Sequence, residues 1–294
     1  MNRESKNLLD DRYEFLGELG KGSFGSVYLA KDHKTGESAA IKALSVNCST
    51  RRAIYEIRNH HMLEHPNIIR LREVLVKEGP THTEEDVLCS GDRAYLVMDF
   101  ASRGTLRQEI YRKNGILSEE DARGLFRQLM SAVAYCHEKD VVSRDIKLSN
   151  VLLDDPEPPT DGHAVVKLCD FGFSKNLATD SSPKSMIGTP DYVAPEVLKG
   201  GTYSKEVDIW SCGVVLYMMV TGFKPFSGVA ISVSSPPQKT GALLKTILSG
   251  VYAYPEGREV SKECENLISK CLVLNPEERL TAAQVLAHPW VASK

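Results

Sequence analysis

Gly20, Gly22 and Gly25, in Gly20-Lys21-Gly22-Ser23-Phe24-Gly25-Ser26-Val27, constrain this chain most, because a strand rather than a helix is expected directly after them. A dinucleotide-binding fingerprint runs strand, loop, helix, with an acidic residue about 20 positions on. Here Ser26-Val27-Tyr28-Leu29-Ala30 reads as a strand, and Ile41-Lys42 stands where the acid would be. Strand, glycine loop, strand is a hairpin, so the loop is expected to fold over a ligand as a lid. Its backbone amides can face phosphate, and glycine permits close approach and φ values that other residues avoid. Phe15-Leu16 lead into the loop, and Asp32-His33-Lys34-Thr35-Gly36 is a turn before a further strand, Ser38–Lys42.

Downstream, the chain changes character. Residues 50–65 carry a helical pattern, with Ile54, Ile57, His61 and Met62 on one face and Glu56 beside it; His65-Pro66-Asn67 ends it. Strands are expected at Ile68–Val76 and Ala94–Met98, separated by a long polar surface insertion, Val76–Arg93. Asp99–Gly104 then links to a helical region. Ser118-Glu119-Glu120-Asp121 is an N-cap with an acidic first turn, and Ala122, Leu125, Phe126, Leu129, Val133 and Cys136 come after it at helical spacing. Val151-Leu152-Leu153 and Val165–Leu168 read as strands around a second surface loop, Asp154–His163. Beyond Pro195 helical runs alternate with loops. Ile209–Val220, interrupted only by Ser211 and Gly213, is apolar but too short to span a bilayer, which predicts a buried helix.

The chemistry is concentrated in Ser143-Arg144-Asp145-Ile146-Lys147-Leu148-Ser149-Asn150 and Asp170-Phe171-Gly172. Asp145 can take a proton from a hydroxyl. Asn150 and Asp170 are hard oxygen ligands suited to Mg²⁺, a cation that keeps its waters and bridges phosphates. Lys42 is placed to hold the α- and β-phosphates, oriented by an ion pair with Glu56, which is preferred over Glu64 because Glu64 abuts the helix-ending His65-Pro66. Lys147 would stabilise the phosphoryl group in flight. A loose, highly charged transition state asks a protein for positioning and charge neutralisation, and this ordered set supplies both for the terminal phosphoryl group of ATP.

With Ala194-Pro195-Glu196 beyond Asp170-Phe171-Gly172, the chain resembles a eukaryotic protein kinase from about Tyr13 to Trp290. The resemblance implies an α+β, two-lobed fold: an extension (1–12), a small sheet-rich lobe (13–98), a hinge (99–104), a larger helical lobe (105–290) and a tail (291–294), with ATP between the lobes. It implies nucleotide contacts from Leu19, Gly20, Lys21, Gly22, Ser23, Phe24, Gly25 and Val27, from Ala40 and Lys42, from Met98 as gatekeeper, from the hinge backbone at Asp99–Ala101, and from Leu152. By the same analogy Asp208 braces the catalytic loop and Glu196 pairs with Arg279.

Lys147 two residues after Asp145, and Gly188-Thr189-Pro190-Asp191-Tyr192, resemble Ser/Thr rather than tyrosine kinases. Ile57-Arg58-Asn59-His60, His65–Arg70, Ala134-Tyr135-Cys136-His137, Cys169–Lys175, Pro183-Lys184-Ser185 and Trp210–Val214 resemble the calcium/calmodulin-kinase-like group, and within it the AMP-activated and plant osmotic-stress-activated kinases. That implies protein substrates, an upstream activating kinase, and a role in stress or energy signalling. Arg144 would pair with a phosphorylated activation segment, roughly Asp170–Glu196, in which Ser181, Ser182, Ser185 and Thr189 are candidates. Ser185 is the expected site, and Thr189 is expected to face the base. Three positions depart from the pattern. Ser143 replaces the usual histidine before the Arg-Asp pair. Thr105 and Ser149 stand where this group often carries acids that read substrate arginine, which argues against a strong preference for basic substrates. The osmotic-stress kinases also carry a C-terminal regulatory tail, whereas this sequence ends four residues after Trp290.

Bulk properties agree. The net charge of −3 offers no basic field for nucleic acid and no polybasic membrane patch. Met1–Asp11 is polar, unlike a secretory leader. The seven cysteines are odd in number and irregularly spaced, so reduced thiols in an intracellular protein are expected; the expected location is cytoplasmic, with the nucleus as a second compartment. Two rival readings remain: a pseudokinase scaffold that binds nucleotide without transfer, supported by Ser143, and a nucleotide-gated interaction module docking through Val76–Arg93.

Overall fold

Tyr13–Gly22 and Gly25–Asp32 pair as an antiparallel hairpin, as the residues after the glycines require. Residues 8–22, 25–45, 50–77, 93–156, 164–178, 189–201, 204–226 and 236–293 are described by a computed structural model of the chain. The chain divides into two compact units: the part through Glu64 together with Ile69–Ala101, and His65–Ile68 together with the part from Ser102 onward. The expected insertion is described only at its ends, since 78–92 lie outside these residues.

The first unit is one antiparallel sheet built from β1 (Leu8–Leu9), β2 (Tyr13–Gly22), β3 (Gly25–Asp32), β4 (Ser38–Ser45), β5 (Leu71–Lys77) and β6 (Arg93–Asp99), in the order β1-β2-β3-β4-β6-β5. Its registers sort the side chains onto two faces. Tyr28 pairs with Ile41, Ala30 with Ala39, and Ile41 with Val97. Ala30, Ala39, Ile41 and Val97 form a core with Leu9 and Tyr13. Val27 pairs with Lys42, Lys42 with Leu96, and Ala40 with Met98, so these project from the other face. On that second face Leu44, Ala94 and Leu96 receive Ile57 of helix α1 (Thr50–His61).

Helix α1 corrects one expectation. Its predicted apolar stripe turns inward only in part: Ile54 and Met62 are 54% and 41% exposed, while Glu56, Asn59 and His60 are buried. Ile57 alone among the stripe's aliphatic residues packs on the sheet. Polar partners set the rotation of the helix. Lys42 holds Glu56, and the His60 ring lies 2.7 Å from the Ile69 carbonyl. A buried ammonium and a buried carbonyl must be satisfied, and that requirement outranks the burial of Ile54.

His65–Ile68, which the sequence places in the small lobe, pack within the helical unit. Ile68 bridges Leu168, Asn67 donates to Gln128 and to the Val166 carbonyl, and His65 stacks on Tyr135. That unit holds β7 (Gly104–Thr105), α2 (Leu106–Arg112), α3 (Glu119–Glu138), β8 (Val141–Val142), β9 (Val151–Asp154), β10 (Val165–Leu168), β11 (Lys175–Asn176), α4 (Pro195–Leu198), α5 (Glu206–Thr221), α6 (Pro236–Ser249), α7 (Lys262–Cys271), α8 (Ala282–Leu286) and α9 (Pro289–Ala292). The strands form two small antiparallel sheets, β10-β9-β7 and β11-β8.

Helix α3 begins as expected, with Ser118 accepting from the Asp121 amide, and buries Ala122, Phe126, Leu129, Val133 and Cys136. Helix α5 is buried all round: every residue but Glu206 and Met218 is shielded. Gly213 makes this possible, because a Cβ there would lie 2.7 Å from Cys271 Cβ on α7. Trp210 of α5 stacks on Phe226, and the Arg279 guanidinium lies over the Trp210 ring, 5.2 Å from its centroid. None of the helices among the described residues is long and apolar enough to cross a membrane.

Candidate active site

In the sheet unit, Lys42 Nζ donates to Glu56 Oε1 at 2.6 Å, and both side chains are buried. The pairing expected from sequence is therefore present, with Glu56 selected over Glu64. Val27, Ala40 and Met98 lie on the same face as Lys42, so the sheet register alone brings the expected nucleotide contacts of this unit together. Leu19 is 48% exposed, and Asp99, the last residue of β6, donates its amide to the Arg70 carbonyl. Ser23 and Phe24 lie outside the described residues.

The glycines differ in why they are glycine. Gly25 has φ +148°, and a Cβ there would sit 1.8 Å from the Ala43 carbonyl oxygen, so the fold itself demands it. A Cβ on Gly20 would meet no atom of the described residues within 4 Å. Its openness fits a cradle that a ligand, not the protein, fills. Gly25→Ala should therefore lower the unfolding free energy by about 3 kcal/mol through backbone strain, read from urea unfolding, whereas Gly20→Ala should leave that free energy within about 0.5 kcal/mol of the parent.

In the helical unit, the loop between β8 and β9 carries Asp145, Lys147 and Asn150. Lys147 Nζ donates to Asp145 Oδ2 at 2.7 Å, and Asn150 Nδ2 donates to the same residue's carbonyl at 2.9 Å and carboxylate at 3.0 Å. With Nδ2 committed in this way, Asn150 presents Oδ1 to a ligand. Thr189 Oγ1 lies 3.3 Å from Asp145 Oδ1 and accepts from Lys147 at 3.1 Å, so Thr189 faces the carboxylate as expected. Burial pushes the Asp145 carboxyl above its ordinary range; the Lys147 hydrogen bond and charge pull it back, and the nearby charge of Asp170 raises it further. Asp170 has φ +64° and Arg144 φ +65°; aspartate visits this left-handed region readily, whereas arginine does so only where its surroundings support it.

Those surroundings are identifiable. Asp208, in the first turn of α5, accepts from the amides of Ser143 and Arg144, both at 2.9 Å, and lies 3.0 Å from His137 Nε2. A fully buried helix thus holds the loop by a carboxylate at its favourable N-terminal end. Sequence reasoning misses His137 as a brace; its place in the last turn of α3 is the available signal. The Ser143 hydroxyl is buried with no hydrogen-bond partner among the described residues, yet its backbone is held by Asp208, so the departure at this position does not release the loop. Asp208→Asn should lower the unfolding free energy, read from urea unfolding, by about 3 kcal/mol, since charged acceptors hold their donors most strongly, and should depress phosphoryl transfer with it.

Glu196 and Arg279 form the expected pair, bidentate at 2.8 and 3.0 Å. Arg144, expected to meet a phosphorylated residue, donates here to the carbonyls of Phe173 at 2.5 Å and Ser174 at 3.5 Å. Ser181, Ser182 and Ser185 lie outside the described residues.

The Lys42–Glu56 pair of the sheet unit and, by itself, the Asp145 loop of the helical unit each carry groups expected of a phosphotransferase of the protein kinase type. The sequence pattern of the protein kinase domain matches residues 13–291, and the chain belongs to that family. It is a protein serine/threonine kinase, as its relatives show. It is 39% identical over 282 residues to the rice (Oryza sativa subsp. indica) serine/threonine-protein kinase SAPK2, covering 95% of this chain and 76% of the relative. It is 39% identical over 285 residues to rice (subsp. japonica) SAPK9, covering 95% and 72%. Serine/threonine-protein kinase SRK2A of the moss Physcomitrium patens is 38% identical over 285 residues, covering 95% and 74%.

Proposed function

We propose that this kinase transfers the γ-phosphoryl group of ATP, with Mg²⁺, to serine or threonine hydroxyls of proteins, using Asp145 as the proton acceptor. The observation that carries the reading is the convergence of Lys147, Asn150 and Thr189 on the buried Asp145 carboxylate. A carboxylate pushed toward higher proton affinity by burial is a better base than an exposed one. Thr189, hydrogen-bonded to both Asp145 and Lys147, occupies the position an acceptor hydroxyl would share.

The donor set fits Mg²⁺: one carboxylate, Asp170, and one amide oxygen, Asn150, leave the remaining positions for water and phosphate. When bound, the cation supplies charge neutralisation at the phosphates. The residues of the chain do the rest. Lys42, steadied by Glu56, holds phosphate oxygens. Gly20, Lys21, Gly22 and Gly25 would line the phosphates and Val27, Ala40 and Met98 the adenine, Leu152 is an adenine contact that the resemblance implies, and Lys147 would screen charge beside Asp145. Switching by phosphorylation of Ser185, an upstream activating kinase, stress signalling and a cytoplasmic and nuclear location complete the proposal, supported by the resemblance to the plant osmotic-stress kinases.

Transfer from [γ-³²P]ATP with Mg²⁺ tests it. Incorporation into serine or threonine, abolished by Asp145→Asn with nucleotide binding kept, is the expected result; nucleotide binding without any transfer would instead establish the pseudokinase scaffold.

A further inference from the structure

The cations and acids around the Asp145 loop are nearly all committed to one another. Lys147 is held by Asp145 and Thr189, Lys224 by Asp191 at 2.7 Å, Arg103 by Asp155 at 3.7 Å, and Arg112 by the buried Glu109. Arg107 is different. It is exposed, and among the described residues its guanidinium makes no ion pair and no hydrogen bond.

Its position is fixed by its backbone. Arg107 N donates to the Leu148 carbonyl at 3.1 Å, which ties the first turn of α2 to the loop carrying the base. Thr105 caps that turn, its hydroxyl accepting from the Gln108 amide while the Gln108 side chain returns to the Thr105 amide. Leu148 is three residues from Asp145, so the two backbones are within about 11 Å. The Tyr192 phenol, which hydrogen-bonds the Leu148 backbone, feels the charges of both Arg107 and Asp145, placing the three in one neighbourhood. Where a substrate arginine would need a carboxylate, this neighbourhood offers Thr105, Gln108 and Ser149, none of them charged.

We propose that Arg107 reads the acceptor peptide, so that this kinase prefers serine or threonine with an aspartate or glutamate within about three residues of it. The span follows from geometry: an extended peptide rises about 3.3 Å per residue, so a carboxylate that near an acceptor on Asp145 comes within reach of the Arg107 side chain. The inference rests on Asp145 being the base.

The test uses peptides identical except for Asp, Ala or Arg at each of the positions flanking one acceptor serine. For the parent protein, kcat/KM for the best aspartate peptide should exceed that for its alanine counterpart about twofold to fivefold, the range of an exposed charge pair, and should exceed the arginine peptide by more. The aspartate-to-alanine ratio should shrink as salt screens it. Arg107→Lys should keep the ratio above one, and Arg107→Glu should bring it below one. A parent ratio of one or less at every position, or a ratio unmoved by Arg107→Glu, overturns the proposal. Absence of transfer to all peptides by the parent would overturn the proposed base first, and this inference with it.

Discussion

Asp145→Asn should lose transfer by about a hundredfold to ten-thousandfold, the contribution of a positioned proton acceptor, and should nevertheless melt at a higher temperature than the parent at neutral pH. Both effects arise from one observation. Burial raises the proton affinity of Asp145 above that of an ordinary carboxylate, although Lys147 partly compensates. A group whose folded pKa is raised contributes stability below its unfolded pKa, about 3.9 for aspartate, and loses that contribution as pH rises through the folded value. At neutral pH the ionised carboxylate therefore works against folding. The neutral amide removes that penalty and can still accept from Asn150 and Lys147. The thermal advantage of Asp145→Asn should shrink as pH falls through the raised pKa, and parent activity should fall over the same interval as the base becomes protonated. Melts of the two proteins across that range, beside a pH–rate profile of the parent, check both. An Asn variant less stable than the parent at neutral pH would show that Asp145 is a structural anchor.

Lys42→Met should be the most destabilising single change in the sheet unit. Glu56 would be left buried without its cation, a loss of about 3–5 kcal/mol, since only 3% of that residue is exposed. Nucleotide binding should weaken at the same time. The double variant Lys42→Met/Glu56→Leu separates the two roles. A buried ion pair replaced by apolar residues of similar size is commonly neutral or better for stability, so the urea midpoint should return to near the parent value while transfer stays lost. Recovery of activity in the double variant would mean that Lys42 acts only through packing; continued instability would mean that the pair is held by more than its two charges.

Much of this site was readable from residues alone. Lys42, Asp145, Lys147, Asn150 and Asp170 are chemically distinctive at short spacings, and a local loop can place only so many partners around Asp145. The hairpin was legible because β-branched and aromatic residues come after the glycines, and α3 because Ser118 and its acidic turn mark a start. Helix α1 misled for a physical reason. Its apolar residues recur at helical spacing, but the buried Lys42 ammonium lies on a strand, and no local pattern records that it will claim Glu56 and turn Ile54 and Met62 outward. His65–Ile68 misled similarly, because Ile68 bridges Leu168 and Asn67 bonds to Gln128 and Val166, in segments roughly 60 to 100 residues away along the chain.

The sequence by itself determined which chemical groups this protein possesses and the order in which they occur, because a carboxylate, an amide and an ammonium keep their chemistry in any fold. Only the tertiary structure decided how those groups are poised. Asp208 reaches the catalytic loop from 64 residues along the chain to hold the Arg144 amide, burial alters the proton affinity of Asp145, and Arg107 is left beside them as a cation with no partner among the described residues. Electrostatic energies depend on distance and on exclusion of water, and both are properties of packing that no stretch of sequence contains.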